Sequence, residues 1–505
     1  MHNDIFIALE TTNVNLDCDA PVSNVGKGPA KPYHLGYHLY DALCAPTVSA
    51  NQNNIFFADF NRIEYRLAEK ISSNVDSTIW TITLRQGVIS NYGNELTAVD
   101  VKWSYDRLLR MQSIGMWRAY NIAGIDINNG IKILDKYTLE YKLVGPNPVF
   151  PRFLCFATGA IIDSTEAQKH VTKDDLNCLK FLAENQCGFG SWTISKWDES
   201  FLELLPKNNN FTKDIPINKV TYVSALSRKK ALDMFNSNQV NILAGIYPDE
   251  ARQLQGKNDR LLQARTNHSF LELNQTKEPF NDLMLRQEIQ MHLDRIKIIQ
   301  DGYFGYAEEQ KSILQPNSPE YNENAFKRFI KSKLKEKSEY QNKTNETITL
   351  AIPSSQEAKR IAVIIKNLLK NYNIEVSIKE FNLIQKEETP HAYLRADCSH
   401  GICDSFYDIA LDFAPPKGMP GRSFQVSRKS ADLKKIRSAD NSEKNKLYEE
   451  LDYEILSKAE TIPIAGHHYL IGFKEQINPW VFTQEYLPMI SLMWSAARYI
   501  IAPIR

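Results

Sequence analysis

The chain has 505 residues, 43% of them hydrophobic and 24% charged, and its 60 Lys and Arg balance its 60 Asp and Glu. Such a length exceeds one compact core, and the even charge gives no electrostatic footprint for nucleic acid. The longest apolar run, "MISLMWSAARYIIAPIR" at the C-terminus, is broken by Arg498 and falls short of the roughly 18 residues that a membrane-spanning helix needs.

The first residues, "MHNDIFIALETTNVNLDCDA", lack a charged stretch followed by a long apolar one, so no signal peptide is read here. The expectation is either a cytoplasmic protein or an exported one whose leader is absent from this sequence. Seven cysteines, at 18, 44, 155, 178, 187, 398 and 403, leave at least one outside any intramolecular disulfide. "DCSHGICD" gathers Cys398, His400 and Cys403, but zinc needs four ligands and no second cluster follows. Free or disulfide-bonded cysteines and a metal site both stand as readings of that segment.

In chain order, "STIWTITLRQGV" alternates so that Trp80, Ile82 and Leu84 share one face of a predicted strand. "SNYGNE" turns the chain. Thr97 with Asp100 then forms a capping-box pattern ahead of a helix whose apolar positions are Val101, Tyr105, Leu108 and Leu109. Residues 220–243 predict strand, helix and short strand, with Ala231, Met234 and Phe235 on the helix's buried side. The lysine-rich stretch 327–347 reads as a solvated helix running into a linker. After it, "ETITLAIP" predicts a strand, and Ser354 with Glu357 caps a helix striped by Ile361, Ile364, Ile365, Leu368 and Leu369. "NIEVSIKEF" closes a βαβ unit with parallel strands.

Residues 408–424, "DIALDFAPPKGMPGRSF", end an apolar run in a loop that Pro415, Pro416 and Pro420 keep from continuing as a central strand. His467 and His468 are adjacent in "IPIAGHHYLIGF", so on a strand they point to opposite faces and cannot both serve one metal site. Core or hinge packing, or one histidine meeting a chelated metal, are the readings left. No G-x-S-x-G elbow, H-E-x-x-H helix or phosphate-binding G-x-x-x-x-G-K-[ST] loop occurs, and "GFGSW" has no identifiable base, so an enzyme is not expected.

Five segments in order, "WTITLRQGVISNYGNELTAVDVKWSYDRLL", "CGFGSWTISKWDESFLELLPKNNNF", "FLELNQTKEPFNDLMLRQEIQMHLDRIKIIQDGYFGYAEEQKSILQP", the βαβ unit at 347–380 and "IPIAGHHYLIGF", resemble the family 5 extracellular solute-binding proteins. These are the peptide, nickel and opine receptors of ABC importers. The resemblance implies an α/β, bilobed periplasmic-binding-protein fold, in which two α/β lobes are joined by two crossover strands with the ligand cleft between them. Residues 1–268 would form lobe 1, with a small subdomain at about 41–165. Residues 269–472 would form lobe 2, and 473–505 the return to lobe 1, with crossings near 269–275 and 469–475.

It further implies ligand capture by hinge closure and delivery to a membrane permease by a monomer that uses no cofactor and binds no nucleic acid. The location is the periplasm or outer cell surface. In peptide-binding members the loop matching 408–424 carries an acid that pairs with the ligand's ammonium, whereas here "MPGRSF" sets Arg422 in that neighbourhood. Arg422 either meets an anionic ligand, points to solvent or pairs with a protein acid, and Asp412 stays available as an acid anchor. Phe413, Met419 and Ser423 would line the same loop. Asn24, Tyr33 and His34 resemble the early loop of lobe 1, as cleft or core residues. Arg152 lies near an arginine of metal-chelate binders, and Trp494 is a stacking wall or core. The ligand expected is an anionic small molecule, an opine-like conjugate or a metal chelate, with a di- or oligopeptide as the alternative. A cytoplasmic ligand sensor or chaperone-like subunit on the same fold is the alternative of another class.

Overall fold

The computed structural model describes residues 4–477 apart from 10–11, 13, 18, 20–34, 36–37, 54, 156–158, 208–216, 255–259, 317, 319, 335–346, 385–388, 399–404, 407–408, 410–429 and 476. Two units emerge. The first takes the chain up to Ile246 and again at Gln253–Leu262 and from Leu470; the second holds Tyr247–Arg252 and Gln263–Tyr469.

In the first unit, strands β1 (Asp4–Leu9), β2 (Cys44–Ala50), β3 (Ile55–Tyr65), β4 (Ala68–Ser73) and β5 (Ile79–Leu84) precede helix α1 (Ala98–Met111). Then come β6 (Ile131–Ile133), β7 (Thr138–Lys142), β8 (Trp192–Trp197), β9 (Phe201–Pro206), β10 (Lys219–Ser224), helix α2 (Arg228–Asn236) and β11 (Ile242–Ile246). The main sheet runs β11-β1-β10-β9-β8, with β1 parallel to both β10 and β11. A separate antiparallel sheet runs β4-β5-β7-β6.

Local chemistry accounts for these elements. In β5, Trp80, Ile82 and Leu84 are buried on one face, as their alternation predicts. Thr97 donates through its backbone N–H (2.8 Å) and its hydroxyl (2.9 Å) to the Asp100 carboxylate, so the predicted cap opens α1. Along α1 the buried face holds Val101, Tyr105 and Leu108, but Leu109 is only half-buried and Ser104 and Arg107 are buried instead. Ser227 caps α2, and Ala231, Met234 and Phe235 pack beneath it as expected.

The second unit contains most of β12 (Arg260–Leu273), β13 (Ala307–Glu309), α3 (Asn324–Lys333), β14 (Thr347–Ile352), α4 (Gln356–Lys370), β15 (Glu375–Glu380), β16 (Ala392–Cys398) and most of β17 (Thr461–Phe473). β14 lies parallel to β15, with Ile348 beside Val376, and parallel to β16, while β12 is antiparallel to β16. The predicted βαβ unit is therefore present. Its helix is capped one residue later than expected: Ser355, not Ser354, accepts the Ala358 N–H at 3.2 Å. Ser354 sits one position too early for its oxygen to meet the first-turn amides.

On α4, Ile361, Ile365 and Leu369 are fully buried with Ala358 and Ala362, while Ile364 and Leu368 pack at the margin of the same core. Each such aliphatic side chain contributes about 1.5–3 kcal/mol through burial. The start of the lysine-rich stretch is helical as expected, within α3, and Lys327 and Lys331 are exposed, but α3 also buries Phe326 and Phe329 against Leu456, so one face is packed; residues 335–346, where the linker was expected, lie outside the described ones. In β17 the two histidines face opposite ways. His467 stacks on Tyr303 with ring centroids 5.1 Å apart, and His468 Nδ1 lies 2.9 Å from Gln263 Oε1. The strand is covered on both faces.

Candidate functional site

Parallel α/β sheets present the loops after their C-terminal strand ends to ligands, because helices cover both faces and leave that edge open. β1 ends at Leu9, and the segment carrying the sequence candidates Asn24, Tyr33 and His34 follows it. Those residues lie outside the described positions, whereas the chain on either side of them is in view.

The outgoing flank is held by a buried arginine. Thr12 donates its hydroxyl to the Asp198 and Glu199 carbonyls, and the Trp197 indole donates back to the Thr12 carbonyl at 2.8 Å. Farther on, Arg107 of α1, fully buried, makes a short charge-assisted bond to Asp17 and sits 3.7 Å from Asp19. Its Nε also donates to the Asn177 carbonyl at 2.7 Å, and Asp19 accepts the Gly159 N–H at 2.9 Å. Taking two carboxylates and one guanidinium out of water together is costly, and the Asn177 carbonyl and the Gly159 N–H offset part of that cost. Sequence reasoning missed this clamp. Its signal was an arginine between Ser104 and Leu108 on the face that Val101 and Tyr105 bury.

The returning flank is held by glycines. The N–H groups of Phe189 and Gly190 donate to the carbonyls of Tyr40 and Leu39, and a Cβ at Gly188 would meet the Tyr40 Cα at 2.8 Å. Asp41 takes the left-handed conformation, with φ of 65°, and forms an ion pair of 2.9 Å with Arg66. The "CGFG" motif is thus glycine-rich because the 38–40 backbone passes directly over it. Beside this turn, Lys207 donates its backbone N–H to the Ser191 carbonyl and its ammonium to Asn91, whose amide reaches Thr193. Burial pushes the Lys207 ammonium down to about 8.

In the second unit, β16 leads toward the Pro-rich loop. Glu272 on β12 is 1% exposed, and Arg395 on β16 reaches it at 3.3 Å. Beyond β16, Phe406 and Ile409 are buried and Ser405 donates a short hydrogen bond to Glu320. Asp412, Phe413, Met419, Arg422 and Ser423 lie outside the described residues, as does Trp494. So do His400 and Cys403, and the Cys398 side chain is likewise not described.

Arg152 is described. It lies in a 3-10 turn, Phe150–Leu154, opened by Pro151, and its Nη2 donates to Asn61 Oδ1 at 2.8 Å. Phe150 of the same turn packs against Trp80 and Tyr141, which fixes the turn on the small sheet. Among the described residues no cluster of three His, Cys, Asp or Glu side chains could hold a metal, and no helix is long and apolar enough to cross a membrane.

A family model of "Bacterial extracellular solute-binding proteins, family 5 Middle" matches residues 62–395. The chain is 23% identical over 450 residues to the periplasmic oligopeptide-binding protein OppA of Escherichia coli (strain K12), covering 81% of this chain and 79% of that one. The solved structure of the periplasmic binding protein DppA from Helicobacter pylori, in complex with peptide STSA, matches with a TM-score of 0.72 at 19% identity over 97% of each chain. AgaA of A. tumefaciens R10, in complex with agropinic acid, matches with a TM-score of 0.70 at 16% identity over 99% of this chain and 98% of that one. The fold is therefore the α/β, bilobed periplasmic-binding-protein class.

Proposed function

The chain belongs to the bacterial extracellular solute-binding proteins of family 5, and on that premise we propose that it captures an anionic small molecule, opine-like conjugate or metal chelate outside the cytoplasm. As a substrate-binding receptor it serves an ABC importer, whose permease receives the solute. It works as a monomer in the periplasm or at the outer cell surface, and it performs no catalysis.

One observation carries the ligand class: "MPGRSF" at 419–424 puts Arg422 where the resemblance to peptide-binding members leads one to look for an acid. An ammonium about 4 Å from a guanidinium is disfavoured by about 4 kcal/mol at an effective dielectric of about 20. That is close to a thousandfold in affinity. A carboxylate or phosphate at the same place gains a bidentate pair. In support, β1 and β16, the strands that precede these two segments along the chain, each have a parallel neighbour. In this reading the ligand-binding residues are Arg422 with Phe413, Met419 and Ser423, together with Asn24, Tyr33, His34, Arg152 and Trp494.

A second reading is favoured by the relatives: OppA is named for oligopeptides and the DppA structure holds STSA. In that case Asp412 anchors the peptide's ammonium. Native mass spectrometry of protein purified without denaturation, with the released ligand identified, separates the two. A discrete anion or chelate lost in Arg422→Ala supports the first reading. A mixture of short peptides, lost in Asp412→Asn and kept in Arg422→Ala, sinks it.

A further inference from the structure

Asn129 and Gly130 form the only Asn-Gly pair in the sequence, at the end of the loop that leads into β6. Lys142 of β7 holds both ends of that loop: its carbonyl accepts the Asp126 N–H and its N–H donates to the Gly130 carbonyl, each at 2.9 Å. Within the loop, Asp126 Oδ1 accepts the Asn128 N–H at 3.0 Å, and Asp126 Oδ2 lies 3.8 Å from the Lys142 ammonium. The base is thus pinned, while Ile127, Asn128 and Asn129 at the tip are exposed.

Position 130 has room for glycine alone. A Cβ there would stand 2.2 Å from the Asp126 carbonyl oxygen and 2.4 Å from Ile125 Cγ2, inside any van der Waals contact. The same missing side chain leaves the Gly130 nitrogen unshielded. Among the described residues the Gly130 N–H donates to no acceptor and the Asn129 side chain makes no hydrogen bond, so neither group has to give up a bond in order to meet the other. We propose that Asn129 is a modification site, deamidated spontaneously in the folded protein when the Gly130 backbone nitrogen attacks the Asn129 side-chain carbonyl carbon.

The co-reactant is water. The Gly130 nitrogen gives its proton to hydroxide and bonds to Asn129 Cγ, the Cγ–Nδ2 bond breaks, and ammonia leaves with a proton taken from solvent. The product is a cyclic imide. Water then adds to one of its two carbonyls: opening at Cγ gives aspartate at 129, and opening at the Asn129 backbone carbonyl gives isoaspartate, in which the chain runs through Cγ. No electrons change hands, and in sum one amide and one water become one carboxylate and one ammonium ion. Either product adds a negative charge to a loop that already carries Asp126. Isoaspartate also lengthens the backbone between the two points that Lys142 holds. Asn128 shares the exposure, but the nitrogen that would attack it belongs to Asn129, whose side chain shields it. It serves as the control within the loop.

Full-length folded protein is held in mildly alkaline buffer and sampled over time, and each sample is digested with trypsin in mild acid, where the reaction is slow. The peptide 119–132, bounded by Arg118 and Lys132, is then analysed for mass and for isoaspartate. Expected is conversion of Asn129 to aspartate and, in larger share, isoaspartate, severalfold faster than any change at Asn128. Mildly acidic buffer should slow it, because the attacking nitrogen must lose its proton. On the intact protein, ion exchange under native conditions should resolve a more acidic form that Asn129→Gln does not produce. That side chain is exposed and unbonded, so the variant is expected to fold. Three results overturn the inference: Asn129 intact in the folded protein over a period in which the free synthetic 119–132 peptide converts, conversion at Asn128 instead, or the same acidic form from Asn129→Gln. Ligand retention enters none of these readouts, so the outcome is independent of the receptor reading.

Discussion

Gly190 lies directly under the backbone of His38: a Cβ at residue 190 would come within 2.1 Å of the His38 carbonyl oxygen. The obstacle is backbone, itself fixed by the hydrogen bonds from Phe189 and Gly190 to Tyr40 and Leu39. Gly190→Ala is expected to destabilise the protein by about 1–3 kcal/mol through overpacking. The measurement is a urea midpoint. An unchanged midpoint would show that the turn can move away at no cost, and that the returning flank of the early loop is not rigidly held.

Arg107 is expected to be costlier to lose. Arg107→Met strands the Asp17 and Asp19 carboxylates in the interior, and breaking a buried pair this way typically costs about 3–5 kcal/mol. Neutralising the acids as well, in Arg107→Met/Asp17→Asn/Asp19→Asn, should recover part of that loss. Chemical denaturation of the single and triple variants provides the comparison, and a triple variant weaker than the single one contradicts the account.

At the start of α4 the two neighbouring serines should behave differently. Ser355→Ala removes the oxygen that accepts the Ala358 N–H and is expected to cost about 1 kcal/mol. Ser354→Ala, on an exposed side chain, should stay within about 0.5 kcal/mol. Equal effects in thermal or urea unfolding would place the cap at neither serine.

Lys207 gives stability a pH dependence of known sign. Its folded value of about 8 lies below the roughly 10.4 of an unfolded lysine, so the buried cation is a burden throughout the range below 8. Between about pH 8 and 10.4 the folded state releases its proton first, the unfolded chain binds more protons, and stability rises with pH. The rise amounts to about 2–3 kcal/mol at most. Lys207→Met should lack this component, so the difference between wild type and variant narrows or reverses from pH 7 to pH 10 in urea titrations. A constant difference would mean that the ammonium is solvated in the folded protein.

Ligand dependence on Arg422 and Asp412 is the remaining expectation. If the solute is anionic, Arg422→Ala should lower affinity by at least tenfold in calorimetric titration of the ligand recovered from the wild type, and Asp412→Asn should leave it nearly intact. The reverse pattern assigns the anchor to Asp412 and the ligand to amine-bearing peptides.

Much of the architecture was legible in the residues themselves. Period-two burial at Trp80, Ile82 and Leu84, and the stripe through Ile361, Ile365 and Leu369, follow from strand and helix geometry, which needs only nearest-neighbour spacing. The departures have local causes. Ser354 and Ser355 offer the same chemistry one residue apart, and only the chain's direction into α4 selects between them. The lysines of 327–333 suggested a solvated helix, but Phe326 and Phe329 suffice to bury one face once Leu456 is brought against them.

By itself the sequence determined the α/β class, the family and the order of the elements, because periodicity, caps and glycine turns act over short separations along the chain. What only the tertiary structure decided is how distant residues meet. Arg107 finds Asp17 across ninety positions and Asp19 beside it, and Gly190 accommodates His38, pairings for which no local pattern exists. Each depends on the packing of whole elements against one another, since burial converts charge and missing side chains from neutral surface features into constraints that a particular partner must satisfy.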